Sequence, residues 1–339
     1  MDKITELKVL LAAGRISRRQ FMEGMIAMGV AASIAPLVMS EAVAATPKKG
    51  GHFKLGVSGA NTSDSLDGST HSDTYMTMVG MGCVFDCLTE VAADGSLKGE
   101  LAESWEASPD ARVWTFKLRK GVTFHNGKDF GADDMIASIE DHIRDESKSA
   151  AKSILQPIQE MKQLDNHTVE VTLKSGSADF PYLLSDYHIL VFPAAMKEEA
   201  FTKGIGTGAY MLESFDPGVI TTAKKNPNDY RTDRGHFESV EVIAMNDATS
   251  RMNALSTGAV HAISRADKKT LSLVNRNPTM EVHYVTGNQH YTFPMLQKSA
   301  PFDNNDVRLA LKYGINRQEM VDKILQGHGA VGNDHPIGP

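Results

Sequence analysis

The stretch from Leu101 to His142, LAESWEASPDARVWTFKLRKGVTFHNGKDFGADDMIASIEDH, constrains the fold of this chain more than any other part of it. Trp114, Phe116 and Leu118 alternate with Thr115 and Lys117, the period of a strand with one buried face. Lys120-Gly121 turns the chain, and Val122 and Phe124 repeat the alternation, so a β-hairpin is expected there. His125-Asn126-Gly127-Lys128 reads as a second turn, because Asn-Gly accepts the positive φ of tight turns. Beyond Gly131, the residues Met135, Ile136, Ile139 and Ile143 fall near one helical face. Asp133 and Asp134 stand in the first turn, where the helix dipole favours anions. A short helix-like lead, a hairpin and an amphipathic helix are thus expected in that order. By themselves they say only that the chain mixes α and β.

The wording is more specific than the pattern. Leu101-Ala102, Ser104-Trp105, Trp114 to Arg119, Gly121 to Gly127 and Ala132 to Asp134 closely resemble the signature of the family 5 extracellular solute-binding proteins. That is the peptide/nickel/opine group that feeds ABC importers. Gly204 to Tyr210 resembles the family's GTGPY/F hinge motif, with Ala209 for Pro. Gly258 to Ile263 resembles its SGEVD turn and strand, with His261 where Asp is usual, which makes a functional role for that residue doubtful. Pro301 to Leu311 is similar to its PF-x-D-x-x-VR-x-AL run, and Gly314 to Arg317 continues it. Leu66-Asp67-Gly68 stands where the family often has LDP.

The resemblance implies an α/β, two-lobed periplasmic-binding-protein-like fold of class II, the large peptide-binding type, with the second lobe incomplete. Family members are usually longer, so a partial reading frame is expected. The expected organisation is a signal peptide over 1–45, a first segment of lobe I over 46–80 and a lobe I subdomain of hairpin and helices over 81–203. A central segment of lobe I follows over 204–288, and the start of an incomplete lobe II over 289–339.

The N-terminus points to export independently. Ser17-Arg18-Arg19-Gln20-Phe21-Met22 resembles the twin-arginine motif, and small residues at Ala42, Ala44 and Ala45 suit signal-peptidase cleavage. The apolar run between them, Met25 to Met39, is about 15 residues against the ~20 needed to span a bilayer. No cysteine lies near the cleavage site for a lipid anchor. A periplasmic protein exported through the twin-arginine route is expected.

Many cargoes of that route are redox enzymes, so cofactor ligands must be sought. Cys83 and Cys87 share a helix face as C-x3-C, with no second Cys pair or nearby His to complete a zinc or iron–sulfur site. They read as two small buried thiols on a core helix. Met76, Met78 and Met81 read as core filler rather than as a soft metal site. No H-E-x-x-H, P-loop, G-x-G-x-x-G or G-x-S-x-G is present. No catalytic residue, metal or cofactor is expected, and the chain reads as a non-enzyme. The formal net charge of −7 lacks the basic excess that a nucleic-acid partner requires.

Along the rest of the chain, Phe53, Leu55 and Val57 make a first strand, and Gly59 to Asp73 a polar loop. Tyr75 to Leu88 reads as a helix and Ala93-Asp94-Gly95 as a turn. Asp165-Asn166-His167 turns the chain into the strand Thr168 to Leu173. Strands are expected over Ile189 to Phe192, Tyr210 to Phe215, Phe237 to Met245, Met280 to Val285 and His290 to Leu296, with a helix from Asp247 to Thr257. Gly206 and Gly208 are the hinge candidates, because glycine lets the backbone change φ and ψ on closure. A phosphate cradle would need a following Lys-Ser/Thr and a helix, and a strand follows instead.

These readings lead to a periplasmic solute-binding component of an ABC importer, a monomer that closes two lobes over a solute and delivers it to an inner-membrane permease. A peptide or amino-acid-derived solute is the ligand class that the resemblance implies. Ser72 and Thr74 are the candidate polar contacts, Tyr210 and Tyr291 could wall the cleft, and His290 could reach a carboxylate. The bland alternatives are loop solvation, core packing and an exposed side chain. Two other readings stay open: a twin-arginine-exported metal-dependent enzyme, and a non-functional fragment of a binding protein.

Overall fold

The computed structural model describes residues 47–284 and 291–332, and residues 3, 7, 16 and 18–28 near the N-terminus. The apolar run beyond Met28, the cleavage site and His290 lie outside the described residues. A helix α1 (Arg18–Ala27) begins within the twin-arginine-like segment. No helix among the described residues is long and apolar enough to cross a membrane.

Two sheets organise the chain. β1 (His52–Val57), β8 (Tyr210–Asp216), β9 (Ile220–Lys225), β10 (Ser239–Ala244) and β11 (Ala262–Ile263) form a mixed five-stranded sheet in the order β11-β1-β10-β9-β8. β1 runs parallel to both β10 and β11, whereas β8, β9 and β10 form an antiparallel meander. β4 (Ala102–Ala107), β5 (Val113–Leu118), β6 (Ile158–Asp165) and β7 (Thr168–Leu173) form an antiparallel sheet in the order β4-β5-β7-β6. A small ribbon pairs β2 (Thr89–Val91) with β3 (Leu97–Gly99). The helices α2 (Thr74–Val79), α3 (Ala132–Ile143), α4 (Lys197–Lys203), α5 (Ala248–Ser256), α6 (Asn305–Gly314) and α7 (Arg317–Lys323) connect or flank these sheets.

Each sheet has its own core. Trp114, Phe116 and Leu118 of β5 are buried as their alternation requires, with Val169, Val171 and Leu173 of β7 and Met135 and Ile139 of α3. The second core joins Val57 of β1, Tyr75, Met76 and Val79 of α2, Phe85, Tyr210 of β8 and Val240 and Val242 of β10.

Several expectations change in the structure. The lead before β5 is strand β4 rather than helix, and it is the true hairpin partner, pairing Trp105 with Phe116. Val122 and Phe124 do not pair back onto β5. A single bridge, Thr123 to Asp129, closes the Asn126-Gly127 turn, and both side chains, Val122 and Phe124, enter the core. The helix from Tyr75 stops early: α2 ends at Val79, one π-turn covers Gly80–Val84, and Phe85 to Leu88 run on outside it. Cys83 and Cys87 are therefore not on one helix face, although both are buried and free. Met76 is core, but Met78 and Met81 are each 40% exposed. Ile189 to Phe192 is buried without being a strand. The strands expected over 280–285 and 290–296 are irregular where described, at 280–284 and 291–296.

Candidate functional site

In open sheets, ligands gather outside the carboxyl ends of parallel strands. Here three such ends converge. β1 ends at Val57 and gives the loop 58–73, β10 ends at Ala244 beside Asn246, and β11 ends at Ile263 beside Ser264. The Asn246 side chain accepts from Gly59 N at 2.8 Å and donates to the Ala60 carbonyl at 3.0 Å. The Ser264 hydroxyl accepts from Ser58 N at 3.2 Å. The loop after the first strand is thus mounted on both neighbouring strands.

Its Asn, Asp and Ser residues fold it locally, as such side chains do when they satisfy nearby backbone amides. The Asp64 carboxylate accepts from Asn61 N at 2.8 Å, and Asp67 caps a 3-10 turn through Ser69 N at 3.0 Å. Asp73 caps α2 by accepting from Met76 N at 2.9 Å. Between them lies a polar pocket of about 70 Å³, lined by Asn61, Asp64, Ser65, His71, Ser72 and Asp73 among others. Burial, with the charge of Asp73 nearby, raises the Asp64 pKa above the ordinary carboxylate value. The second oxygen of Asp73 is buried without a partner. Burial pushes the His71 pKa down to about 4, so its ring is neutral at physiological pH. The pocket therefore offers acceptor oxygens and negative charge.

Of the expected contacts, Ser72 is exposed and lines this pocket, and Thr74 is half-buried at the start of α2. Tyr210 is 7% exposed, in the core to which α2 contributes. Tyr291 is 78% exposed on an irregular segment apart from that core. The structure brings Ser72 and Thr74 together at one loop end, whereas Tyr210 lies in the core and does not line the pocket. The residues missed from sequence are Asp64, His71 and Asp73. Their signal was the Asn/Asp/Ser richness of the loop, which reads equally as solvation.

The glycine-rich segment is held from two sides. The His125 ring places Nδ1 3.2 Å from the Gly204 carbonyl and Nε2 2.9 Å from that of Gly208, while His125 N donates to Gly206 O at 2.8 Å. Gly208 N donates to the Val84 carbonyl at 3.0 Å, and the Thr207 hydroxyl to Asp86 at 2.8 Å. A Cβ on Gly206 would collide with the Val84 carbonyl, and one on Gly208 with that of Cys83. At both positions, glycine is needed here for backbone approach against the π-turn. Gly208→Ala is expected to lower stability by about 1–3 kcal/mol, because backbone must shift to admit a methyl group. Gly314→Ala, with nothing within 4 Å of the added carbon, serves as the neutral control in denaturant melts.

His261, in place of the family's Asp, holds two strands in register. Its Nδ1 accepts from Lys54 N at 3.0 Å and its own N–H donates to Lys54 O at 2.9 Å. The thiols are inert, since burial pushes Cys83 up to about 12 and Cys87 well above the ordinary value. Among the described residues, no group of three His, Cys, Asp or Glu side chains could hold a metal ion.

The model of bacterial extracellular solute-binding proteins, family 5 Middle, matches residues 96–339. The chain belongs to family 5 of the bacterial extracellular solute-binding proteins. It is 26% identical to heme-binding protein A of Haemophilus influenzae over 257 residues, covering 68% of this chain and 46% of that protein. It is 25% identical to a glutathione-binding protein of Salmonella choleraesuis over 299 residues, covering 87% of this chain and 58% of the relative. Among solved structures, NikZ from Campylobacter jejuni in complex with Ni(L-His) superposes with a TM-score of 0.74 at 23% identity, covering 84% of this chain and 57% of that one. The chain spans about half the length of the curated relatives it matches. The mixed α/β fold agrees with the class II, peptide-binding type over that part. The family is one of binding proteins and not of enzymes, in keeping with the non-enzyme reading.

Proposed function

We propose that this family member is the periplasmic receptor of an ABC importer, that it captures a peptide or amino-acid-derived solute, and that the twin-arginine route exports it. The observation that carries the reading is the polar, carboxylate-lined pocket within the loop that follows β1, a loop held by Asn246 and Ser264 beyond the ends of β10 and β11. Such a site attracts a ligand cation, and an α-ammonium group fits its size and acceptor oxygens. The relatives named above are a heme-binding and a glutathione-binding protein, and NikZ was solved with Ni(L-His), so the scaffold alone does not select the ligand. Acidic lining favours the amino-bearing classes among these.

In this reading the five-stranded sheet with its loop belongs to lobe I, and the segment from 291 onward leads into lobe II. Ser72 contacts the solute, Thr74 orders the start of α2, and Tyr210 supports both from the core. Tyr291 approaches from the other side on closure, and His290 is the candidate for a solute carboxylate. The segment 204–208 lies where the lobes join. An inner-membrane permease would read the closed form.

The test is native mass spectrometry of the protein produced from its natural gene and taken from the periplasm, followed by calorimetry with di- and tripeptides and with the nickel–histidine complex. A co-purifying amino-bearing solute is expected, with Asp64→Asn weakening it at least tenfold, about 1.4 kcal/mol. Tight nickel–histidine binding that ignores Asp64→Asn would overturn the assignment. Loss of the periplasmic form in a twin-arginine translocase mutant checks the route.

A further inference from the structure

His188 sits under the pocket loop and touches two acceptors. Its Nδ1 lies 2.6 Å from Asp186 Oδ1 and its Nε2 lies 2.7 Å from the His71 carbonyl oxygen. An ionised carboxylate and a backbone carbonyl only accept, so both contacts are hydrogen bonds only when both ring nitrogens carry hydrogen. That form is the imidazolium. We propose that His188 is a positioning residue: as the imidazolium it holds the His71 carbonyl and with it the loop from Ser65 to Asp73, so the pocket loses order as the ring loses its proton.

Asn246 and Ser264 hold the start of the loop, and this ring meets its far end. His71 Nε2 lies 3.1 Å from the Ser65 carbonyl, which closes the loop on itself. Gly68 packs so near the His188 carbonyl and Leu190 that a Cβ would not fit. A neutral ring can satisfy one acceptor. The bond to the charged Asp186 is the stronger of the two, so the remaining hydrogen stays on Nδ1. Nε2 then turns a lone pair towards the His71 oxygen, and the contact becomes repulsive.

The groups facing His188 leave its ring as the responsive one near neutrality. Its own segment supplies Asp186 and Tyr187, whose ring lies 4.0 Å away, and Cys87 donates weakly to the Asp186 carbonyl at 3.5 Å. The loop supplies His71, on which Asp67 and Asp73 act, and α3 supplies His142, flanked by Asp141 and by Lys197 of α4, which bridges Asp67 and Asp141. Burial pushes His71 down to about 4, so that ring is neutral here, and holds His142 below the ordinary histidine value. Burial also opposes charge on His188, but the hydrogen bond and charge of Asp186 outweigh it and hold the ring above 6.5. The sign follows: the clamp is complete below pH 6.5 and is lost as pH rises through the raised folded value.

The clamp matters to the proposed binding role because it shapes that pocket, yet it can be read with no ligand present. The experiment combines ¹⁵N-histidine NMR of the whole protein with hydrogen exchange of the 61–73 peptide from pH 6 to 9, corrected for intrinsic rates. Both His188 nitrogens should be protonated at pH 6. Protection of 61–73 should then fall roughly tenfold more than that of β7, the equivalent of about one hydrogen bond. In Asp186→Asn the fall should move to lower pH. A singly protonated His188 at pH 6, or a 61–73 peptide that tracks β7 at every pH, would overturn the proposal. If the variant does not fold, the ring titration of the natural protein decides.

Discussion

Arg231→Met is expected to destabilise the protein by about 3–5 kcal/mol, the cost of leaving buried charge unpaired. Arg231 Nη1 meets Asp86 Oδ1 at 2.7 Å and Glu100 Oε1 at 2.6 Å, and Nε meets Asp229 Oδ1 at 3.0 Å. The guanidinium also lies 4.6 Å from the Tyr230 ring centroid. Burial works against its charge, but Asp86 and the other acids outweigh this and raise its pKa. Even with Arg231 present, burial and the neighbouring Asp86 push Glu100 up to about 7. Without it, Glu100 must rise further, so it stays protonated in the folded variant at pH values where it ionises in the natural protein. Thermal melts should show the gap between variant and natural protein widening as pH rises above 7. A constant gap would mean that lost packing, not charge, sets the cost. The cluster also bears on the segment 204–208, because Asp86 accepts from Thr207.

The second large effect is Asp134→Ala, for which a loss of about 3–5 kcal/mol is again expected, since a buried ion-pair partner is stranded. Asp134 is fully buried in the first turn of α3. One oxygen accepts from Gly131 N at 2.9 Å, and the other from Lys128 Nζ at 2.6 Å and Ala194 N at 2.7 Å. One carboxylate thus caps its own helix, binds the turn before it and ties down the chain leading to α4. Asp133, its neighbour, is exposed, and its pairing with Lys128 at 3.7 Å is loose. Asp133→Ala should therefore cost only a few tenths of a kcal/mol, up to about 1, at an exposed pair. Equal losses for the two variants in urea melts would refute this division of labour.

Those two aspartates show how the sequence could and could not be read. Their place in a helix first turn followed from local chemistry, and so did the strands β5 and β7 and the helix α5 near Asp247. The motif wording carried the family, and hence the fold class. The exposed Ser72 at a polar pocket also lay within reach, because a loop after a first strand is a usual place for contacts.

What the chain pattern by itself determined was periodicity: which segments alternate, which wind, where turns fall and which family the words belong to. A period states which face is apolar but not what covers it. Tertiary structure alone decided that β4 is the partner of β5, that Tyr210 is core, and that the helix after Asp73 breaks into a π-turn against Gly206 and Gly208. It alone brought His125 to Gly204 and Gly208, Arg231 to Asp86 and Glu100, and His188 to the His71 carbonyl. Each of these joins residues scores of positions apart, so no local window of sequence holds both partners. They form because a buried donor, acceptor or charge must find its complement wherever the packed core places it.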